Sequence, residues 1–295
     1  MLKIILDMET QDPDDVLTLA MLADHPQVDL LAVTVTPGTP HQIGVVSHVL
    51  WLLEKESVPV GSFNINHTKG RGTPQEHYVT CVSDWHYKAF GPMEPISKTE
   101  VGWQLLERTL GPDTTLVTGA PLKNPGALLE NTANSNLGRI FVQGGFAGQG
   151  VVPECDQLPK FKGLVSCPTF NLNGDPKAAL RVLESKRFSE RKMVSKNVCH
   201  GVTYTQEFHD KLRTMERSRQ GLRLITRVMN SKIGKALHDP LTACCAIEPK
   251  IGKWAPVIVF RTVHDEWGSE LSPESTTQII TSYDPNLFFR TFSAT

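Results

Sequence analysis

The sequence contains no apolar run of the roughly 18 to 20 residues that a membrane-spanning helix needs. Its longest candidates are interrupted by charged residues, proline or glycine. The apolar start at residues 1–6 is too short for the core of a signal peptide and leads directly into carboxylates. We therefore expect neither a membrane span nor a leader segment.

The chain also lacks a surplus of either charge. Its 30 Lys and Arg residues nearly balance 31 Asp and Glu residues, for a formal net charge of -1 at pH 7. Such a chain has no general electrostatic attraction for nucleic acid or for anionic lipid. The composition predicts a small-molecule partner and no binding to nucleic acid or to a membrane.

Cysteine is sparse and unpaired in the sequence. The six cysteines are scattered, without the CxxC spacing of a zinc site or the density of a disulfide framework. The histidines form no HxH or HExxH pattern. We expect no zinc site, and the cysteine usage indicates reduced thiols and a cytoplasmic location.

The size and composition are those of a folded domain. A chain of 295 residues with 40% hydrophobic and 21% charged residues can bury a full core, which excludes disorder and a small stapled scaffold. Internal repeats, low-complexity tracts and linkers are not evident. We predict a single domain over residues 1–295.

Short apolar strands alternate with helical patterns in the first half of the chain. The alternating segments are residues 3–6, 14–24, 29–36, 41–55, 114–118, 124–131 and 139–143. This order predicts an α/β fold with a central, mostly parallel sheet flanked by helices, a Rossmann-like open sheet. Ligands bind beyond the carboxyl ends of strands in such folds. The residues that follow each strand are therefore the functional candidates.

The pattern is less regular elsewhere. We expect helices within residues 175–184 and 206–234 and strands at residues 192–194 and 256–262. Residues 63–98 and 144–168 show no clear periodicity and are interpreted as lids or binding loops. Aromatic residues 85–87 either line a base-binding lid or pack within their own loop.

Five carboxylates follow the first predicted strand: Asp7, Glu9, Asp12, Asp14 and Asp15. Like charges packed this densely are costly unless a cation neutralises them, and Ca²⁺ accepts six to eight oxygen ligands. The alternative is a solvated loop in which Asp12 or Asp14 caps the next helix and Asp15 lies at its positive end. Capping explains one or two of the carboxylates but not the whole set.

A further carboxylate, Asp239, stands between His238 and Pro240 far along the chain. Asp at a helix N-cap followed by Pro is an ordinary helix start. The adjacent His238 favours a functional role, because imidazole is the usual proton donor near neutral pH.

Taken in order, these segments resemble the motifs of the calcium-dependent nucleoside hydrolases. That family opens with Asp-x-Asp-Pro-Gly-x-Asp-Asp, and residues 7–15 carry a similar motif with one inserted residue. Residues 117–124, 143–145, 170–176 and 238–241 resemble its Thr-Gly-Pro-Leu-Thr-Asn, Met-Gly-Gly, Glu-Phe-Asn with Asp-Pro, and His-Asp-Pro-Leu motifs. Each motif is weak alone, but the ordered set, over about residues 3–247, is specific.

The resemblance implies a calcium ion held by Asp7, Asp15, Asp239 and the backbone carbonyl of Lys123. A carbonyl ligand tolerates the lysine at that position. It also implies hydrolysis of the N-glycosidic bond of a ribonucleoside to ribose and free base, by a water that Ca²⁺ positions. A homodimer or homotetramer is expected on the same ground.

Substrate and catalytic roles follow from the same resemblance. Asp14 and Asn171 would hold ribose hydroxyls, and His238 would protonate the leaving base. The general base is Glu9 if the first motif is aligned from its left end. Alignment from the right end places Thr10 at that position with Asp12 nearby, so Glu9 is our first candidate and Asp12 the second.

The sequence departs from the family in the sugar pocket. Thr169 replaces the glutamate before Phe-Asn, Gly163 replaces an asparagine, and Thr39 replaces an asparagine after the second strand. Losing polar partners in a buried site costs about 1 to 3 kcal/mol each. Tyr204 stands where the family has a mobile substrate loop and is a further contact candidate.

Two other functions remain open at this point. The altered motifs are compatible with a protein of the same fold that binds a nucleoside or sugar without cleaving it. Residues 6–10 also resemble the Asp-x-Asp-x-Thr opening of haloacid-dehalogenase-like phosphohydrolases, in which Asp7 would be the nucleophile with Mg²⁺. That reading leaves the carboxylates at positions 14, 15 and 239 unexplained.

Overall fold

The computed structural model describes residues 1–66, 81–133 and 136–294, except for the side chain of Ser218. The strands are β1 (Leu2–Met8), β2 (Val28–Val35), β3 (Val60–Ser62), β4 (Glu100–Val101), β5 (Thr114–Thr118), β6 (Arg139–Gln143), β7 (Ser166–Cys167), β8 (Glu190–Val194), β9 (Gly252–Arg261), β10 (Trp267–Leu271) and β11 (Thr277–Tyr283). The helices are α1 (Pro13–Asp24), α2 (Pro40–Leu52), α3 (Asp84–Phe90), α4 (Gly102–Thr109), α5 (Lys123–Asn131), α6 (Phe170–Gly174), α7 (Pro176–Glu184), α8 (Lys196–Cys199), α9 (Gln206–Met215), α10 (Gln220–Met229), α11 (His238–Ile247) and α12 (Pro285–Ser293).

All of these strands belong to one sheet, in the order β4-β3-β2-β1-β5-β6-β8-β11-β9-β10-β7. Neighbours from β4 through β11 pair in parallel, while β9 pairs antiparallel with β11 and with β10. The α/β fold with a large central sheet flanked by helices is thus confirmed. The carboxyl ends of the parallel strands meet at one edge, where a ligand site is expected.

Strand β1 is a continuous apolar run because both of its faces are buried. Ile4 and Leu6 pack into one buried cluster, whereas Ile5 packs into another. Because alternate residues of a strand point to opposite faces, β1 lies between two cores. Both faces of the strand are therefore packed as far as Leu6, and Asp7 follows directly.

The predicted segments of the first half form the expected strands and helices, and the strands at residues 114–118 and 139–143 have the predicted bounds. Strands β3 and β4 and helix α4 are not among the predicted elements. The interpretation of residues 63–98 as irregular is wrong at α3, and residues 67–80 lie outside the described part. The C-terminal antiparallel strands were underpredicted. Strand β9 begins before the predicted residue 256, and its exposed and half-buried positions show no clean alternation.

Across the described ranges, none of the helices combines the length and apolarity needed to cross a bilayer.

Candidate active site

A pocket of about 380 Å³ lies at the carboxyl ends of the parallel strands. Its walls are formed by Glu9, Gln11, Asp12, Asp14, Asp15, Gly119, Gln143, Gly144, Thr169, Phe170, Asn171, Lys196, His200, His238 and Asp239. A larger groove of about 1150 Å³ lies between α3 and α10, but Asp84 is the one acidic residue among those that form its walls. The smaller pocket brings together eight of the predicted site residues: Glu9, Asp12, Asp14, Asp15, Thr169, Asn171, His238 and Asp239. Asp7, Thr39, Lys123 and Tyr204 are not in its wall.

Asp7 anchors the floor beneath this pocket. Its fully buried carboxylate accepts hydrogen bonds from Thr34 Oγ1 at 2.7 Å, Thr118 Oγ1 at 3.0 Å and Asn124 Nδ2 at 2.9 Å. Burial raises the Asp7 pKa to about 6, although these hydrogen bonds act in the opposite direction. Elements β2, β5 and α5 thus each contribute a donor that fixes the carboxylate.

This environment also bears on the phosphohydrolase alternative. Asp7 is buried among its three donors and does not belong to the pocket wall. A phosphoryl-accepting nucleophile must reach its substrate. The structure therefore gives the phosphohydrolase reading no exposed nucleophile at Asp7.

Asp15 and Asp239 form a buried carboxyl pair between α1 and α11, with a hydrogen bond between their side chains. Burial, followed by the charge of Asp14, raises the Asp15 pKa to about 7. The Asp239 pKa is raised well above its ordinary value, first by burial and then by the charge of Asp15. Two carboxyls can share such a hydrogen bond only if one keeps its proton.

Asp14 joins the same two helices. Its Oδ2 accepts hydrogen bonds from the backbone N–H groups of His238 at 3.0 Å and Asp239 at 3.4 Å, at the start of α11. Burial raises the Asp14 pKa to about 6, and the charge of Lys235 opposes that rise. A carboxylate from the β1–α1 region thus caps a helix more than two hundred residues away in sequence.

The two candidates for the general base occupy different surroundings. Glu9 is half-buried in the pocket wall, and its pKa is raised well above the ordinary value by burial and then by the charge of Asp15. The positive charge of Lys123 lies close enough to lower that pKa. Asp12 is largely exposed and its carboxylate lies 2.8 Å from Lys235 Nζ in an ion pair.

The donor set suits a hard cation. Four carboxylates, Asp7, Asp14, Asp15 and Asp239, are each at most 6% exposed, and the pKa of every one is raised. A bound divalent ion would stabilise their charged forms, and Ca²⁺ and Mg²⁺ take oxygen ligands of this kind. The residues therefore fit a calcium ion.

His238 faces the pocket from the first turn of α11. Its ring stacks on that of His200, with centroids 4.5 Å apart, and its buried Nε2 has no hydrogen-bond partner among the residues that the structure describes. Burial and then the charge of Lys235 lower the His238 pKa to about 4. The imidazole is therefore neutral at pH 7.

The same histidines belong to a grouping that the sequence did not reveal. One potential ligand atom each from Cys199, His200 and His238 lie within 4.8 Å of one another. Sulfur and imidazole donors prefer metal ions that are softer than Ca²⁺. The site therefore offers two donor sets of different character beside each other.

Asn171 and Thr169 form the wall opposite α1. Asn171 Nδ2 donates to Gly119 O, Gln143 O and Gln143 Oε1, at 3.0, 3.1 and 2.7 Å. Thr169 is 2% exposed, and in residues 1–66, 81–133 and 136–294 its Oγ1 finds no hydrogen-bond partner. Phe170 between them is 65% exposed at the pocket mouth.

Two predicted substrate contacts need correction. Thr39 is a buried N-cap of α2 whose Oγ1 accepts the Gln42 N–H at 3.2 Å. Tyr204 is fully buried, and its hydroxyl lies 3.1 Å from His209 Nδ1. Neither residue belongs to the pocket wall, because each is engaged in local structure instead.

The aromatic segment at residues 85–87 is part of α3 and braces the carboxylate loop. His86 Nε2 donates to Thr10 O at 2.5 Å, and Trp85 Nε1 donates to Gln11 O at 3.3 Å. The segment therefore supports the β1–α1 loop from behind.

Sequence reasoning missed several residues of the pocket wall: Gln11, Lys196, His200 and the side chain of Gln143. Lys196 and His200 follow β8, so the rule that singles out residues after each strand could have found them.

A family model covers nearly the whole chain. The family model described as inosine-uridine preferring nucleoside hydrolase matches residues 4–290. The chain belongs to this family. The family is metal-dependent and acts on small nucleoside substrates.

Relatives and solved structures cover nearly the whole chain. An uncharacterized protein of Aquifex aeolicus (strain VF5) is 30% identical over 282 residues, which cover 91% of this chain and 90% of that protein. A plant nucleoside hydrolase has a TM-score of 0.70 at 19% identity and 99% coverage of both chains. An inosine-uridine preferring nucleoside hydrolase from Bacillus anthracis has a TM-score of 0.71 at 16% identity, covering 100% of this chain and 98% of that one. A purine-preferring ribonucleoside hydrolase from Gardnerella vaginalis has a TM-score of 0.69 at 17% identity, covering 99% and 98%.

Proposed function

We propose that this protein is a calcium-dependent hydrolase that cleaves the N-glycosidic bond of a ribonucleoside or related N-riboside to ribose and free base. The observation that carries the proposal is the group of buried carboxylates, with Asn171, at the strand ends of a nucleoside hydrolase fold. Cleavage proceeds through a cationic, oxocarbenium-like sugar. Carboxylates around the sugar stabilise that charge.

Asp7, Asp15, Asp239 and the backbone carbonyl of Lys123 would hold the Ca²⁺. When bound, the ion would balance the negative charge of the carboxylates and orient the water and the ribose hydroxyls. The burial of the three carboxylates and their raised pKa values support this assignment, because a bound cation would stabilise their charged forms. The role of the Lys123 carbonyl stays a prediction.

Asp14 and Asn171 are proposed to bind the ribose hydroxyls. Asp14 already accepts two backbone N–H groups, which hold its carboxylate toward the pocket. The recorded partners of Asn171 are all on Nδ2, so within the described residues its Oδ1 is the atom left to accept a sugar hydroxyl. Both side chains are therefore preorganised before substrate arrives. Thr169, beside Asn171, is the third predicted substrate contact in this wall.

Glu9 is the better of the two base candidates. It lies in the pocket wall without a hydrogen bond that fixes it among the described residues, whereas Asp12 is held by Lys235 at the surface. A carboxylate that stays outside the full coordination of the ion can take a proton from water. Asp12 remains the second candidate.

His238 is proposed to assist the departure of the base. Because its pKa is lowered to about 4, the ring acts at neutral pH as a hydrogen-bond donor through its N–H group. The buried Nε2 without a partner is the atom available to the base.

The protein is further proposed to work as a homodimer or homotetramer in the cytoplasm, in nucleoside salvage. Light scattering on the purified chain tests the assembly.

The experiment for the proposed reaction is release of ribose and free base from a panel of purine and pyrimidine nucleosides. Calcium and chelator arms are run in parallel, with the exposed-site variant Asp113→Asn as a control and Asp239→Asn as the test. Release of ribose and free base in equal amounts supports the hydrolase if it is lost with chelator and in Asp239→Asn but retained in Asp113→Asn. Binding of nucleosides without release would instead identify a non-catalytic binding protein.

A further inference from the structure

The pocket has a basic wall opposite its carboxylates. Lys196 and His200 form part of this wall, and Lys160 Nζ donates to His200 Nδ1 at 2.7 Å. Lys196 and His200 follow β8, and the segment of Lys160 contacts α8 through the hydrogen bond from Leu158 N–H to Asn197 Oδ1. The wall places positive charge beside the carboxylate end of the same cavity.

An aromatic ring holds the two lysines. Nζ of Lys160 lies 5.1 Å and Nζ of Lys196 lies 5.9 Å from the ring centroid of buried Phe161. Lys196 Nζ also donates to Pro168 O at 2.8 Å. In residues 1–66, 81–133 and 136–294, no carboxylate forms an ion pair with either lysine. Their charge is therefore available to an anion.

A buried hydroxyl lies in the same wall. Thr169 adjoins Pro168 in sequence and belongs to the pocket wall, and its buried Oγ1 has no hydrogen-bond partner within the described part of the chain. Buried polar groups in folded proteins are nearly always paired. An oxygen atom of a ligand between Thr169 and Lys196 would accept hydrogen bonds from the Thr169 hydroxyl and the Lys196 ammonium group.

We propose that the preferred substrate is anionic, and that it is a ribonucleoside 5′-monophosphate whose phosphate binds Thr169, Lys196 and the Lys160–His200 pair. This inference rests on the proposed hydrolase function. If the carboxylates hold the ribose diol and the base leaves from C1′, the remaining substituent of the sugar is at C5′. Phosphate is the common anion at that position.

The reaction balances without any further reactant. The water oxygen forms a bond to C1′ as the C1′–N bond breaks, and the electron pair of that bond stays on the base nitrogen. The water loses a proton and the base gains one. The products are ribose 5-phosphate and the free base.

The test compares kcat/KM for nucleosides and for their matching 5′-monophosphates. We expect the wild type to prefer the monophosphate at least tenfold. Lys196→Leu should reduce that preference at least tenfold, and Thr169→Val should reduce it in the same direction. Lys162→Leu is the charge-matched control, because Lys162 is exposed on the same segment and pairs with Glu154 instead; it should leave the preference intact.

Direct binding separates this inference from the hydrolase function. Titration with ribose 5-phosphate in the presence of Ca²⁺ should show at least tenfold tighter binding than ribose, and Lys196→Leu should remove the difference. If no substrate is turned over but this binding pattern holds, the anion site stands and the hydrolase function fails. If nucleosides are hydrolysed and monophosphates are not preferred, the anion site is wrong and the hydrolase function stands.

The same cations could bind a carboxylate on the base. Orotidine and nicotinic acid riboside form the third arm of the assay. A Lys196-dependent preference for these nucleosides over monophosphates would overturn the 5′-phosphate assignment.

Discussion

The side chains of Asp15 and Asp239 are in direct contact inside the protein. Their charge state therefore affects both the stability of the metal-free protein and its calcium affinity. Asp15→Asn replaces one carboxyl by a neutral amide of the same shape. Without metal, we expect the melting temperature to rise by about 2 to 4 °C, as a relief of about 1 kcal/mol would give in a domain of this size class. With metal, we expect calcium affinity to fall at least about tenfold.

Calorimetric titration and thermal melts measure both effects, with exposed Asp113→Asn as the control. Unchanged calcium affinity in Asp15→Asn would contradict the assignment of this residue as a metal ligand.

His238 gives a second residue-scale prediction. His238→Gln should lower kcat about 10²- to 10⁴-fold for nucleosides whose base is a poor leaving group. It should lower kcat far less for 4-nitrophenyl riboside, whose leaving group departs without assistance. Since the pKa of His238 is about 4, wild-type kcat should not fall between pH 6 and pH 8 through loss of an imidazolium proton.

Steady-state kinetics across this pH range measures the effect, and His264→Gln, at an exposed position, is the control. A decline of the wild-type rate near pH 6.5 that disappears in His238→Gln would show that the charged ring is the active form.

Residue-scale prediction from the sequence depends on local motifs. Asp14, Asp15 and Asn171 all reach one pocket, as their positions after predicted strands indicated. It failed for Tyr204, because nothing in its neighbourhood in sequence shows that its hydroxyl is engaged by His209 in the core. The grouping of Cys199 with His238 was equally hidden, since it depends on how α8 and α11 pack.

At the scale of elements, the site depends on the close approach of β5 to α11. Gly119 follows β5, and a methyl group at this position would lie 2.2 Å from Asp239 Oδ2. Gly119→Ala should therefore displace Asp239 and reduce calcium affinity at least about tenfold without changing any charge.

Gly111→Ala is the matched control, because nothing lies within 4 Å of the added methyl group there. Calcium titration of the two variants measures the difference. Equal affinity in both would mean that the exact position of Asp239 does not govern the metal site.

Strands β1, β2, β5 and β6 were predictable because they are mostly buried on both faces and read as short apolar runs. Strands β3 and β4 were not, since they are only three and two residues long. The C-terminal hairpin of β9 and β10 was not, since Ile258 and Leu271 are exposed and its strands carry no consistent alternation. Helix α3 was hidden in a stretch without periodicity. Its position is instead set by contacts of Trp85 and His86 with the carboxylate loop.

At the scale of the whole molecule, the buried acids couple stability to pH. The pKa of Asp15 is raised to about 7, and those of Glu9 and Asp239 are raised well above their ordinary values. Between about pH 6.5 and 8.5 the native state therefore binds more protons than the unfolded state, so stability falls as pH rises. Histidines with lowered pKa values, such as His238, act in the opposite direction only near the lower end of this range, because the pKa of an unfolded histidine is about 6.5.

We expect the melting temperature of the metal-free protein to fall by several degrees from pH 6.5 to pH 8.5, and this fall to vanish with saturating Ca²⁺. Thermal melts in chelator and in calcium test it. If the stability of the metal-free protein is constant or rises over this range, ionisation of the buried carboxyls does not destabilise the fold, and the prediction is wrong.

The whole-molecule fold follows from the alternation of strands and helices, but the site joins residues 7–15 to residues 238–239 across the full length of the chain. That juxtaposition came from the ordered resemblance to a family and not from local pattern. The prediction of a single domain over residues 1–295 still awaits a test of cooperative unfolding.

The most direct measurement of the central claim is a calcium titration in which nucleoside or nucleotide hydrolysis and calcium binding are followed on the same metal-free preparation. The account predicts no hydrolysis without calcium and a rate that rises in proportion to occupancy of one site, with both signals lost in Asp15→Asn. Full activity in chelator, or hydrolysis that rises while calcium remains unbound, would contradict it.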